Sequence, residues 1–265
     1  MFKLDKMTRS APAHQHHSGN LVRQQVAYAG SALALTTARE IIAAKISHSR
    51  RLLIPYRQSR QRAGDDTEKL TETVNKLSHL ASQAKNAGGK MRLMQIEAQA
   101  AKLYWQAFGQ IAHQKRGWKR VHPHASDPLN ILLNTGYTLL ARRCLQAITD
   151  TGLLPEIGLL HGENSCDPLV YDLMEIFRQV AVDSIILPTF SRRPRPGVGK
   201  DSRAFIKTIA LLNLHYQRHF WYKKRCEKLE NIIKLDATNL KQSILANQTW
   251  QPYRHQWSRH RVCKQ

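Results

Sequence analysis

Acidic residues are scarce in this chain. Its 265 residues include 19 Asp and Glu against 41 Lys and Arg, a formal charge of +22. An excess of that size opposes compaction unless a polyanion neutralises it, so nucleic acid is the expected counterpart. An anionic membrane is the weaker one, because no basic amphipathic anchor is evident. Cysteine is sparse too. Cys144, Cys166, Cys226 and Cys263 form no C-x-x-C pair, which argues against a zinc knuckle and reads as reduced thiols in a cytoplasmic protein. Long apolar runs are missing. The longest uncharged one, Val26 to Ala38, contains Tyr, Gly, Ser and Thr and is too short to span a bilayer. The first residues, Met1 to Met7, lack the apolar core of a signal peptide. Alternating β patterns of useful length and internal repeats are also absent. With 42% apolar residues and only 13 Gly and 10 Pro, what remains is an all-α fold with a real core.

Helical spacing of apolar residues carries most of the chain. Residues 1–20 are polar, hold a His14, His16, His17 cluster, and are expected to be a disordered tail. Residues 21–247 form the helical domain, and 248–265 a basic, aromatic tail. One helix is expected from Leu21 to about Ser47, followed by an arginine-rich stretch to Gly64. A second helix, opened by Asp65 and Asp66, runs to Lys85, and a third from about Met91 to His113. Asp127 before Pro128 is an N-cap followed by proline at the first helical position, and it opens a central helix. Asp167 before Pro168 repeats the device and opens a fifth, to about Val182. Ile185 to Pro188 reads as a short extended piece, and residues 201–234 and 236–247 as two further helices.

Chemistry concentrates where that fifth helix starts. Asp172 and Glu175 are three residues apart and share a helix face. Leu169, Leu173, Met174 and Phe177 surround them, so the face is partly buried. A buried carboxylate needs a positive partner. Either Arg178 or another basic residue supplies it as a salt bridge, or a metal ion does. His161 lies just upstream, and Glu97 sits within the apolar stripe of the third helix. Spacing alone leaves both alternatives open.

Several segments resemble, in order, the helical catalytic domain of the CRISPR adaptation integrase family, the first of the universal CRISPR-associated proteins. They are Gln24–Gln25, Ala38–Ile46, Ile96–Trp105, Asp127–Asn130 with Gly136–Leu140, Gly152–His161, Asp172–Arg178 and Gln251–Arg254. The resemblance implies that Glu97, His161 and Glu175 are catalytic metal ligands and that Asp172 is a further ligand or supports one from behind. Oxygen ligands with one imidazole suit Mg²⁺ or Mn²⁺. It also implies a homodimer, a second CRISPR adaptation protein as partner, and an amino-terminal β domain for which residues 1–20 are too few.

The implied function is a metal-dependent DNA endonuclease and integrase, in which a 3′-hydroxyl of a short DNA attacks a phosphodiester of the CRISPR array. The alternative is a non-catalytic, basic, helical nucleic-acid-binding protein or an inactive remnant. Three basic tracks are candidates for gripping the DNA backbone. One is Arg50, Arg51, Arg57 and Arg60. Another is Lys115, Arg116, Lys119 and Arg120, with Trp118 among them as a possible base-stacking ring. The third is Arg192, Arg193, Arg195 and Lys200.

Overall fold

A computed structural model describes residues 18–162, 166–191 and 203–257. The expected all-α architecture is found, with one departure. In order the elements are α1 (Gly19–Ala29), α2 (Ala32–Arg62), α3 (Glu68–Lys85), α4 (Lys90–Ile111), α5 (Pro128–Thr151), α6 (Pro168–Phe177), a π-helical turn (Arg178–Asp183), α7 (Ser184–Ser191), α8 (Arg203–Tyr216), β1 (His219–Tyr222), β2 (Arg225–Lys228) and α9 (Leu229–Leu245). No helix of the described residues is long and apolar enough to cross a membrane.

The first expected helix is two. Ser31 interrupts it, because its hydroxyl donates to Tyr28 O at 2.7 Å and accepts from Leu33 N at 3.2 Å, so the same side chain stops α1 and caps α2. The arginine-rich stretch is the last part of α2 itself, which passes through Pro55 without ending. Buried residues occupy most faces of α2 (Ala38, Ile41, Ile42, Ala43, Ala44, Ile46 and Leu53 among them), and it packs against α3, α4 and α6. It is therefore the axle of the fold rather than a surface helix.

Both proline-opened helices begin at their prolines, but only the first is capped as expected. Asp127 Oδ1 accepts from Asn130 N at 3.0 Å, while Asp167 precedes α6 without a side-chain cap of its own. Ile185 to Pro188, expected to be extended, is helical. The chain is still helical on entering it from α6, and Ile186 and Leu187 are fully buried. Short apolar runs of this kind look alike as strand or helix in sequence. The long helix expected over 201–234 is instead α8, an antiparallel hairpin with His219 opposite Lys228 and Tyr222 opposite Arg225, and the start of α9. Phe220, Trp221 and Tyr222 favour the pleated surface, and Lys223 turns the corner at φ 55°.

The chain's last described segment is docked on the domain. Trp250 N donates to Thr37 Oγ1 at 3.3 Å, Tyr253 N to Asp236 Oδ2 at 3.0 Å, and Arg254 reaches Glu40 Oε2 at 2.6 Å. His255 N donates to His48 Nε2 at 3.0 Å. The proton of His48 therefore sits on Nδ1, 2.9 Å from Ile176 O. Burial holds His48 neutral, its pKa lowered to about 3. Tyr253 stacks on Phe177, ring centres 5.7 Å apart, so this segment braces α6 from behind. Cysteine departs from expectation at one position: Cys144 and Cys166 are free thiols, whereas Cys226 is disulfide-bonded. Tyr222 and Tyr253, with ring centres 5.9 Å apart, show the closing segment lying along the hairpin that carries it.

α5 lies close against the π-helical turn because Gly136 has no side chain. A Cβ there would come 2.5 Å from Val182 Cγ1. Gly136→Ala is expected to destabilise the protein by about 1–3 kcal/mol through overpacking. The check is the midpoint of denaturant unfolding, which should fall.

Candidate metal centre

Three segments far apart in sequence bring the charged groups together. α2 supplies Lys45, α4 supplies Glu97, and α6 with the first residue of the π-helical turn supplies Asp172, Glu175 and Arg178. His161 comes from the loop between α5 and α6. That loop is fastened twice. Gln25, buried on α1, donates from Nε2 to Leu154 O at 2.9 Å and to Ile157 O at 3.1 Å, and accepts from Leu154 N at 2.9 Å. Gly158 then passes so close to Pro168 that a Cβ would meet the proline Cβ at 2.7 Å.

Asp172 organises the loop's end. Its carboxylate accepts from Leu159 N, from Leu160 N at 3.1 Å, from His161 N at 3.1 Å and from His161 Nδ1 at 2.7 Å. With its lone pairs so engaged, Asp172 orients the imidazole rather than offering itself to an ion. The imidazole is turned so that Nε2 faces Glu175 Oε1, 3.9 Å away.

Glu175 is nearly as enclosed as Asp172, its side chain 5% exposed against 1%. Arg178 Nη2 lies 3.1 Å from Oε1, and Lys45 Nζ lies 2.6 Å from Oε2 and 2.6 Å from Glu97 Oε1. Burial pushes the Glu175 pKa up, but Arg178, Lys45 and His161 together outweigh it and hold the carboxyl down at about 2. Lys45 mirrors this. Burial lowers it most, and Glu175 and Glu97 more than restore it, to above its ordinary value. His161 is lowered by burial and raised by Asp172 and then Glu175, with a net rise.

Glu97, Glu175 and His161 thus belong to one cluster: Lys45 links the two glutamates, His161 Nε2 faces Glu175, and Asp172 stands behind the histidine. Lys45 lies within the Ala38–Ile46 segment, and its pairing with both glutamates is not legible in the sequence. What the sequence shows is a single charge inside the apolar run Ile41 to Ile46. Among the described residues no three His, Cys, Asp or Glu side chains converge on a single point as an ion would require, because the ammonium stands between two of them. The residues nevertheless fit a hard divalent cation. Glu175 Oε2 is buried against the Lys45 ammonium, 2.6 Å away, so it is an anionic oxygen that a cation replacing that ammonium could take. In the neutral ring the contact with Asp172 keeps the proton of His161 on Nδ1 and leaves the Nε2 lone pair open, and Lys45 marks a position where positive charge is stable. Beside the cluster lies a cavity of about 130 Å³, bounded by Lys45, Glu97, Tyr104, Trp105, Arg178 and Gln179 among others.

Deeper in, the π-helical turn presents Asp183 to two phenols. Tyr104 Oη and Tyr137 Oη each donate to it at 2.6 Å. Burial raises Asp183 to about 6, against the pull of those two hydrogen bonds.

The basic tracks fare unequally. Arg51, Lys115, Arg116 and Lys119 are exposed, and Arg50, Arg57 and Arg60 are half-buried along α2. Arg120 is committed to the fold. It donates to Asn130 Oδ1 at 3.0 Å and Asn134 Oδ1 at 2.6 Å and lies over the Trp105 and Tyr137 rings. Trp118 is likewise occupied, its Nε1 3.1 Å from Asp127 Oδ1 and its ring against Gly109. Arg192, Arg193, Arg195 and Lys200 lie outside the described residues, as does the His14, His16, His17 cluster.

The imidazole gives a pH prediction. A histidine whose folded pKa exceeds its unfolded value of about 6.5 contributes stability below that pH, and loses it as pH rises through the folded value. Asp172→Asn removes the main opposite charge. The drop in melting temperature caused by this change is expected to be larger at pH 5.5 than at pH 8.5, and the His161 NMR titration should move to lower pH.

Comparison with known proteins places these features in a family context. The family model described as CRISPR associated protein Cas1 matches residues 5–196. A "CRISPR-associated endonuclease Cas1 1" of Moorella thermoacetica is 33% identical over 185 residues, covering 66% of this chain and 53% of its own length. A "CRISPR-associated endonuclease Cas1 2" of Rhodospirillum rubrum is 30% identical over 188 residues, covering 66% and 54%. The chain spans about half the length of the curated relatives it matches. Among solved structures, a "Cas6-RT-Cas1--Cas2 complex" superposes with a TM-score of 0.72 at 21% identity, over 89% of this chain and 27% of that one. A "Casposase bound to integration product" superposes at 0.65 and 20% identity, over 92% and 71%. At these identities the superpositions speak for the fold alone.

Proposed function

This chain belongs to the family of CRISPR-associated protein Cas1, and from that premise we propose that it is the helical catalytic part of a metal-dependent DNA endonuclease and integrase acting in CRISPR adaptation. The observation that carries the proposal is the cluster in which Lys45 links Glu97 of α4 to Glu175 of α6 and His161 Nε2, from the α5–α6 loop, faces Glu175, with Asp172 holding the imidazole by Nδ1. Their names and titles describe the curated relatives as endonucleases, and one structural neighbour as bound to an integration product.

Glu97, Glu175 and His161 Nε2 would hold Mg²⁺ or Mn²⁺, which would polarise a phosphodiester and stabilise the charge developing on its oxygens. Glu175 is held ionised by its buried cations, so it offers a full charge at neutral pH. Asp172 keeps the Nε2 lone pair aimed at the site when the ring is neutral. Arg178 lies beside Glu175 and over the Tyr137 ring at 5.0 Å, fixed where a second positive charge faces the reacting phosphate. Exposed Arg51, Lys115, Arg116 and Lys119 bind the DNA backbone without reading sequence. The DNA ends and the array are the substrates. The second adaptation protein, Cas2, and a second copy of the chain are the partners.

A non-catalytic, DNA-binding role is the second reading. It is favoured by the closed ion pairs of Lys45, which balance both glutamates without any metal.

One experiment separates the two. Glu97→Ala, His161→Ala and Glu175→Ala are each expected to lower Mn²⁺-dependent strand transfer or cleavage by at least about 10²-fold, with DNA affinity nearly unchanged. Undiminished activity in all three would sink the assignment, and no activity in the parent with Cas2 supplied would favour the second reading. DNA affinity itself should fall steeply with salt, by about a factor of ten or more between 50 mM and 200 mM, as neutralised phosphates release counterions. A flat dependence in a filter-binding series would contradict backbone recognition.

A further inference from the structure

Lys45 occupies the place an ion would need. Its ammonium contacts Glu97 Oε1 and Glu175 Oε2, each at 2.6 Å. A divalent ion cannot take both oxygens while that ammonium lies between them. Two positive centres packed together there would repel strongly in so enclosed a site. Binding must therefore move the lysine.

There is somewhere for it to go. The cavity of about 130 Å³ beside the cluster has Lys45 on its wall, and Gln179 on its wall as well. Gln179 is 2% exposed, and its Oε1 has no hydrogen-bond partner. A buried amide oxygen without a donor is costly, and a fold keeps few of them without cause. Gln179 lies in the π-helical turn, a local widening of the helix that recurs at functional sites. An ammonium on a flexible four-carbon stem is the donor best able to change seats, whereas Arg178 is pinned by Glu175 and the Tyr137 ring.

We propose that Lys45 has two seats. Without a divalent ion it bridges Glu97 and Glu175 and keeps the two carboxylates in place. With the ion bound, the lysine side chain swings into the adjacent cavity and donates to Gln179 Oε1. The lysine is thus a positioning residue and an internal competitor for the metal centre, and it stays charged in both seats. This rests on the metal-centre reading above, and the test tells the two apart.

The test is Mn²⁺ binding without DNA, followed by the electron paramagnetic resonance signal of free Mn²⁺. The samples are the parent protein, Lys45→Met, Gln179→Met and Glu175→Gln. Lys45→Met is expected to bind Mn²⁺ about tenfold or more tightly than the parent, because no cation has to be displaced. Gln179→Met is expected to bind several-fold more weakly, because the displaced ammonium loses its acceptor. Glu175→Gln should lose saturable binding. Lys45→Gln keeps a neutral donor between the carboxylates. It is the second variant if Lys45→Met does not fold, and it should move in the same direction. Equal or weaker binding by the lysine variants, with Glu175→Gln still abolishing it, overturns the two-seat proposal and leaves the metal centre standing. No saturable binding in any sample overturns both.

Discussion

A carboxylate buried between packed helices sets the terms for the rest of this structure. Glu175 sits on α6, which packs against α2 and α5, and an isolated charge there would cost several kcal/mol, roughly. The protein meets that cost with groups from three directions: Lys45 from α2, Arg178 from the next turn, and His161 from the preceding loop. Each of these must be held in turn. Lys45 is held by a second glutamate, Arg178 by the Tyr137 ring, and His161 by Asp172. The arrangement is a chain of alternating charges, Glu97, Lys45, Glu175, His161 and Asp172, with Arg178 as a branch on Glu175.

Much of the remaining architecture keeps that chain of charges in register. The π-helical turn follows Arg178 directly, so the helix widens at the site and then delivers Asp183 to Tyr104 and Tyr137. That contact ties α4 and α5 to the same turn, and Tyr104 stands two turns beyond Glu97 on α4. Gln25 fixes the start of the histidine loop from α1, and the closing segment presses Tyr253 onto Phe177 from the far side. The sites of chemistry and of packing are therefore adjacent.

The sequence revealed helices wherever apolar spacing was long and capped, as at Asp127–Pro128 and through α3 and α4. It was silent where one side chain or a tertiary contact decides the matter. Ser31 divides a continuous apolar pattern by two hydrogen bonds that spacing does not report. The hairpin at His219 lacks an Asn-Gly or Asp-Gly turn, so its aromatic run was absorbed into a helix. Ile185 to Pro188 was ambiguous because buried strands and buried helices share the same composition. At the site, the acidic residues and the histidine were identified through resemblance to a family, whereas spacing alone left a salt bridge and an ion equally open. The geometry explains that tie. Arg178 does pair with Glu175, as the salt-bridge alternative required, and yet the imidazole faces Glu175 too and Lys45 links it to Glu97. Charge counting also does not separate exposed cations from those engaged within the fold. Arg120 and Trp118 read as binding groups in sequence but hold the loop after α4 to α5.

The account's central claim is that Glu97, His161 and Glu175 are one divalent-cation site and not merely a network of ion pairs. Crystals of the protein soaked in Mn²⁺ and measured for anomalous scattering test this most directly. The account predicts a single strong peak within coordination distance of a Glu97 oxygen, a Glu175 oxygen and His161 Nε2, with the Lys45 ammonium displaced from between the glutamates. A map with no peak there, and Lys45 still bridging both carboxylates at saturating Mn²⁺, would contradict it.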